Sequence, residues 1–383
     1  MLAPRIKVWL LLAATSTAVG PVCVANKHRA RTTDAELVAN VDSLAERMAR
    51  EEAFSGVVLL SWHGQPLFRR AFGLADRTTR QPNKVDTPFE LASVGKMFTA
   101  VVVARLAQES QLSFDDTIGA LLSEFPAGPA RSQVTVRHLL TMSSGIPEVF
   151  RISAFWTALP RIKTLSDFWP LFASKPVEFV PGTRWAYSNS NFLVLGSIVE
   201  RVARVPFAAA VERYVFRPAG MTHTSYNSCA FPERARPYPH GPAKDSGRAG
   251  ERRSGLVNDT AVTCGTAAGA PMGGGVSTAD DLERFAEALL NGQLLSRDMT
   301  QRVLTGRVPT GYGGRDGYGF ETRVLNGIRI IGHVGGFTGV SNQVDFYPDR
   351  GYVLVVLSNS DGKGTQEIVN RVRVLISGAV AQR

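Results

Sequence analysis

Apolar positions along this chain change period several times, and each change marks an element. Thr33-Asp34-Ala35-Glu36 has the spacing of a capping box, and Leu37, Val41, Leu44 and Met48 then recur at helical spacing. Residues 54–60 and 67–72 are apolar runs of strand length around Trp62-His63-Gly64-Gln65-Pro66, which predicts a hairpin. Helical patterns follow over 93–108 (Val94, Met97, Phe98, Val101), 135–141, 191–202 and 206–216. Residues 225–262 are rich in Pro, Gly and Arg without a sustained period, and read as a long loop. Gly273-Gly274-Gly275 leads to Ser277-Thr278, which caps a helix carrying Leu282, Phe285 and Leu289. Strands at 320–325 and 328–331 flank Asn326-Gly327, a hairpin turn pair, and strands at 343–347 and 352–357 flank Pro348-Asp349-Arg350-Gly351. A last helix covers 367–376. Strands at both ends with helices between them predict a mixed lobe built from the two termini and a helical lobe inserted in the middle.

Composition narrows the class. The 383 residues, 44% hydrophobic and 20% charged with a mean hydropathy of −0.02, exclude a disordered chain, a collagen-like fibre and a multi-span membrane protein. The length accommodates two or three compact units or one large enzyme domain, at about 150 residues per domain. Arg5 and Lys7 precede an apolar run over 8–19 and a small-residue exit at Cys23-Val24-Ala25. That is the pattern of a secretory signal over residues 1–25, with an uncleaved anchor as the alternative. The expected location is periplasmic or secreted.

Export changes the meaning of the formal net charge of +10, because an exported protein meets anionic envelope polymers rather than nucleic acid. The basic residues of the long loop have little aromatic interleaving, which also argues against a nucleic-acid groove. Once Cys23 leaves with the signal, Cys229 and Cys264 remain in an oxidising compartment. A disulfide between them is the expectation, contributing about 3–4 kcal/mol, and two free buried cysteines are the alternative.

Candidate chemistry begins at Ser93-Val94-Gly95-Lys96, where i,i+3 spacing puts hydroxyl and amine on one helix face. A serine is a weak nucleophile until a base takes its proton, and lysine is such a base only when its pKa is lowered. The tetrad alone is common by chance. Tyr187 and Asn189, two apart on an extended segment, point one way as a proton carrier and an amide donor; a helix cap with a packed tyrosine is the alternative. His333-Val334-Gly335-Gly336 ends the 328–331 strand, where glycines allow close approach of a substrate. The N–H groups of Gly336 and Ser93 could then form an oxyanion hole, and a glycine-rich turn with a solvated His333 is the alternative.

Taken in order, these pieces resemble the serine β-lactamase and penicillin-binding-protein superfamily, in its class C β-lactamase-like branch with D,D-carboxypeptidases, D-aminopeptidases and esterases. The resemblance includes Phe89-Glu90-Leu91-Ala92 before Ser93, LSFDDTI at 112–118, VRHLLTMSSGIP at 136–147, RPAGM at 217–221 and GGVSTADDL at 274–282. It implies an α+β, two-lobed fold: an antiparallel sheet flanked by terminal helices, plus an inserted all-helical lobe. A single unit over 26–383 would place the α/β lobe at about 26–90 and 273–383 and the helical lobe at about 91–272. By the same resemblance Ser93 is the acylated nucleophile, and Lys96 and Tyr187 share acid–base work. Asn189, His333 and Gly335 bind substrate, and the amides of Ser93 and Gly336 form the oxyanion hole.

Two departures bear on substrate. Where family β-lactamases have Lys-Thr-Gly, this chain has His333-Val334-Gly335, which loses a cation and a hydroxyl beside the substrate carboxylate. Met142 stands where the family often has histidine, with no evident effect on the chemistry. No Gly-x-Ser-x-Gly elbow, metal motif, phosphate loop or dinucleotide fingerprint is present, so no cofactor is expected. The reading is an exported serine hydrolase, an esterase or amidase on small or envelope-derived acyl compounds. A D,D-peptidase or weak β-lactamase is the nearest variant. A non-catalytic protein holding envelope fragments is the rival, and the intact Ser93, Lys96 and Tyr187 argue against it.

Overall fold

The computed structural model describes residues 32–227, 230–238 and 271–378. Helix α1 (Asp34–Arg50) begins at a true capping box: Thr33 Oγ1 accepts from Glu36 N–H at 3.2 Å, and Glu36 accepts from Thr33 N–H at 2.9 Å. Strands β1 (Gly56–Trp62) and β2 (Gln65–Phe72) form the first hairpin, with His63-Gly64 as its two-residue turn.

Beyond the helices lie β3 (Val308–Pro309), β4 (Arg315–Asp316), β5 (Glu321–Leu325), β6 (Ile328–Phe337), β7 (Val340–Tyr347) and β8 (Tyr352–Ser358). They join the first hairpin in one eight-stranded sheet of order β2-β1-β8-β7-β6-β5-β4-β3, antiparallel throughout. The β1–β8 pairing, which sets Gly56 opposite Ser358, joins the two ends of the chain in the sheet.

Alternation along the central strands feeds two cores. Val57, Leu59, Val355 and Leu357 enter one, while Val58, Leu60, Leu354 and Val356 enter the other. The runs at 54–60 and 352–357 look uniformly apolar because both faces of these strands are covered. On one face lie α1 and α5 (Gly364–Ser377) through Leu37, Val41, Ile368 and Val372. On the other face Leu282 and Phe285 of α4 (Ala279–Leu290) belong to the same core as α2 (Lys96–Gln108) and α3 (Asn189–Ala203).

Several boundaries differ from the periodicity. The segment expected to be helical from 93 opens as a 3₁₀ turn over Ala92–Gly95 and becomes α-helical only at Lys96. The 206–216 helix is α-helical over Phe207–Val211 and then passes through a π turn, Glu212–Phe216, which a 3.6-residue period does not express. Of the long loop, Ser225 bridges Val276, Ala235 N–H donates to Pro88 O at 2.9 Å, and Tyr238 bridges Ser360. Its residues 239–262, Cys229, Cys264 and the signal-like residues 1–25 lie outside the described residues. No described helix is long and apolar enough to cross a membrane.

Candidate active site

Ser93 sits in the 3₁₀ turn that feeds α2. Three residues per turn bring i and i+3 into line, so Ser-x-x-Lys places its heads together: Lys96 Nζ donates to Ser93 Oγ at 3.0 Å. Helix α2 is enclosed nearly all round, and Lys96 is 0% exposed. Ala92, just before the nucleophile, has φ +49°, a left-handed conformation strained for a residue with a Cβ.

The 271–276 segment straps this turn in place. Leu91 N–H donates to Gly275 O at 2.9 Å, Gly274 N–H to Ala92 O at 3.0 Å, and Thr99 Oγ1 to Pro271 O at 2.8 Å. Lys96 Nζ also donates to the Met272 carbonyl. A Cβ on Gly273 would lie 2.8 Å from Ala92 O, so this glycine serves the nucleophile turn as well as leading to α4.

A second element brings Tyr187 and Asn189. The extended Ser188 caps α3, and its neighbours on either side both reach the nucleophile turn. Tyr187 Oη lies 2.8 Å from Ser93 Oγ, and Asn189 Oδ1 accepts from Lys96 Nζ at 2.7 Å. Behind Asn189 stands Glu148, which accepts from Asn189 N–H at 2.5 Å and from Nδ2 at 2.9 Å. Its carboxylate also lies at the positive end of α3.

Glu148 is absent from the sequence-level site, because a lone acid one residue after Pro147 has no spacing that marks it. Met142, given no role in the sequence, helps to hold this element. Its carbonyl accepts from Ala186 N–H at 2.8 Å and its sulfur from Ser188 N–H at 3.5 Å.

Burial sets the protonation of the cluster. It lowers Lys96 to about 7, an effect that the Glu148 charge partly offsets. It raises Tyr187 above its usual value against the Ser93 hydrogen bond. His333 is lowered by burial and by nearby Lys96, against the opposing charge of Glu321, so its imidazole is neutral at pH 7. Near neutrality the site therefore contains an amine with an available lone pair and a protonated phenol, both on the Ser93 hydroxyl.

The third element is β6, and it runs on to Phe337 rather than ending near 331. β5 pairs with it only from Ile328 to Gly332, whereas β7 pairs from Ile331 to Phe337. Beyond Gly332 one edge of β6 is thus unpaired within the sheet. The Phe337–Val340 hairpin closes on two residues, so odd positions bond β7 while Val334 and Gly336 turn N–H and C=O toward the open edge.

His333 is 4% exposed, which corrects the solvated alternative, and its Nδ1 donates to Val334 O at 2.6 Å. Gly336 has open space around it, as an approaching substrate requires. Gly335 serves packing instead: a Cβ there would lie 2.3 Å from Leu91 O. Gly335→Ala is expected to force β6 away from the nucleophile turn and cost about 2 kcal/mol, read as a lower denaturation midpoint.

One network thus joins Ser93, Lys96, Tyr187 and Asn189, and β6 brings Val334 and Gly336 to an open strand edge, with His333 buried beside it and Gly335 packed on the nucleophile turn. Among the described residues no cluster of three or more His, Cys, Asp or Glu could hold a metal ion. A hydroxyl shared between an amine and a phenol is suited to nucleophilic attack on a carbonyl followed by proton delivery to the departing group.

Comparisons with known proteins find relatives over most of the chain. A penicillin-binding protein of Bacillus subtilis (strain 168) is 29% identical over 329 residues, covering 84% of this chain and 72% of that protein. Esterase EstB of Burkholderia gladioli is 37% identical over 222 residues, covering 54% of this chain and 56% of EstB. The crystal structure of a penicillin-binding protein from Bacillus halodurans superposes with a TM-score of 0.73 at 29% identity, over 86% of this chain and 98% of that one. The family model described as beta-lactamase matches residues 41–378, and the chain belongs to the β-lactamase family as a serine hydrolase.

Proposed function

We propose that the protein is an exported esterase or amidase that acts through an acyl-enzyme on Ser93. The observation that carries this reading is the shared hydroxyl: Lys96 Nζ at 3.0 Å and Tyr187 Oη at 2.8 Å both meet Ser93 Oγ. Neutral Lys96 takes the Ser93 proton as Oγ attacks the substrate carbonyl. The amides of Ser93 and Gly336 receive the oxyanion. Tyr187 passes a proton to the leaving alcohol or amine as the acyl–heteroatom bond breaks. Water then attacks the acyl-enzyme by the reverse relay, releasing the acid and restoring Ser93. Asn189 holds the substrate's ester or amide side, and the open edge of β6 aligns it.

The substrate class follows from charge. His333 is buried and neutral, Val334 carries no hydroxyl, and Glu321 faces this corner with negative charge. Among the described residues a substrate carboxylate would find no fixed cation there, so small or envelope-derived acyl compounds without one are favoured over β-lactams and D,D-peptides. Export is supported by the apolar run over 8–19 behind Arg5 and Lys7. The basic surplus suits weak association with an anionic envelope.

The test is labelling with a fluorophosphonate probe and location of the adduct by mass spectrometry. Labelling at Ser93, abolished in Ser93→Ala, is expected. An unlabelled protein, or a label that persists in Ser93→Ala, would refute the acyl-enzyme and favour the binding-protein reading. A chromogenic cephalosporin turned over faster than short-chain esters would reverse the substrate assignment.

A further inference from the structure

The β3–β4 hairpin makes two contacts with one indole. At its base, the buried Asp316 carboxylate accepts the hydrogen bond of Trp185 Nε1. At its tip, Tyr312 packs edge-on against Trp185, with ring centroids 5.7 Å apart and planes at 87°. Trp185 lies two residues before Tyr187, and their ring centroids are 6.5 Å apart. A continuous row of rings therefore runs from Tyr187, on the nucleophile, through Trp185 to Tyr312.

Each end of this row has a reason to be where it is. Asp316 is a buried acid whose partner here is an uncharged indole, so its hydrogen bond orients the ring rather than neutralising a charge. Burial raises this carboxyl to about 7. Tyr312 is 79% exposed, the most exposed large apolar side chain among the described residues. It stands between Gly311 and Gly313, both at left-handed φ, in a turn closed by Thr310 N–H on Gly314 O at 3.0 Å. Nothing in the core calls for an aromatic residue at that tip.

We propose that Trp185 and Tyr312 form a specificity subsite for a flat apolar ring carried by the substrate, with Asp316 as the positioning residue that orients the indole. This rests on the acyl-enzyme reading of Ser93 and deepens it by naming the substrate class: esters or amides bearing an aromatic group near the scissile bond. The indole face and the phenol edge contact a bound ring by offset or edge-on packing, which is sensitive to ring orientation.

The experiment compares kcat/KM for methyl phenylacetate, with a ring on the acyl side, benzyl acetate, with a ring on the leaving group, and ethyl acetate, with none. In Tyr312→Ala, the preference for one of the two ring-bearing esters over ethyl acetate is expected to fall about tenfold, mainly through KM. Asp316→Leu is expected to lose that preference similarly. Asp316→Asn, whose amide oxygen still accepts from the indole, is expected to keep it, and a merely structural role would not separate the two. Equal changes for all three esters, no change, or loss of preference in Asp316→Asn equal to that in Asp316→Leu would overturn the subsite. Fluorophosphonate labelling of the unaltered protein at Ser93 is read in parallel. Labelling with an unchanged preference condemns the subsite alone, and failure to label condemns the acyl-enzyme itself.

Discussion

Lys96→Ala is expected to lower kcat/KM for an activated ester by about 10²- to 10⁴-fold, the range associated with loss of a positioned general base. In the unaltered protein, kcat/KM should rise as pH increases through about 7. The sign follows from the site: only the neutral amine accepts the Ser93 proton, and burial brings its pKa down to about 7. At pH 5 almost all Lys96 is an ammonium donating to Ser93, Asn189 and the Met272 carbonyl, which leaves no lone pair for catalysis. At pH 8 most of it is free. A profile flat between about 6 and 9, with Lys96→Ala still active, would contradict this role.

Glu148→Gln is expected to reduce kcat/KM by about 100-fold while leaving the overall fold intact. Both carboxylate oxygens accept hydrogen bonds from Asn189, one from its N–H and one from Nδ2. Glutamine must turn an NH₂ group toward one of those donors. Asn189 is then pushed off its 2.7 Å contact with Lys96, and a buried donor loses its partner at a cost of about 1–3 kcal/mol. The pH profile should move as well. The Glu148 anion holds the Lys96 pKa up, so removing that charge shifts the acidic limb of kcat/KM to lower pH. A wild-type rate with an unmoved limb would show that Glu148 has no bearing on the base.

How well sequence reasoning located the parts depended on how local their causes are. The capping box at Thr33–Glu36 acts within one turn, and the start of α1 is where that spacing puts it. Asn326-Gly327 is similarly local: both residues have positive φ, and β5 and β6 flank them directly. The end of β6 was harder to read, because its last residues pair with β7 but not β5. The apolar pattern over 328–331 reports the half of the strand that pairs with β5, and Gly332, Gly335 and Gly336 break it beyond. The site shows the same division. Ser93 and Lys96 are three apart, and the 3₁₀ turn brings them together through local geometry alone.

The amino-acid sequence by itself therefore determined the elements, the order of the motifs and the pairing of Ser93 with Lys96, because dihedral preference, capping and period act over a few residues. Tertiary structure alone decided whether that pairing amounts to chemistry. Lowering the lysine to about 7 requires exclusion of water by a helix enclosed nearly all round. It also decided which residues stand behind the site. Glu148 meets Asn189 across 41 residues, and Asp316 meets Trp185 across 131. Desolvation and long-range hydrogen bonds are properties of the packed chain, and no local spacing encodes them.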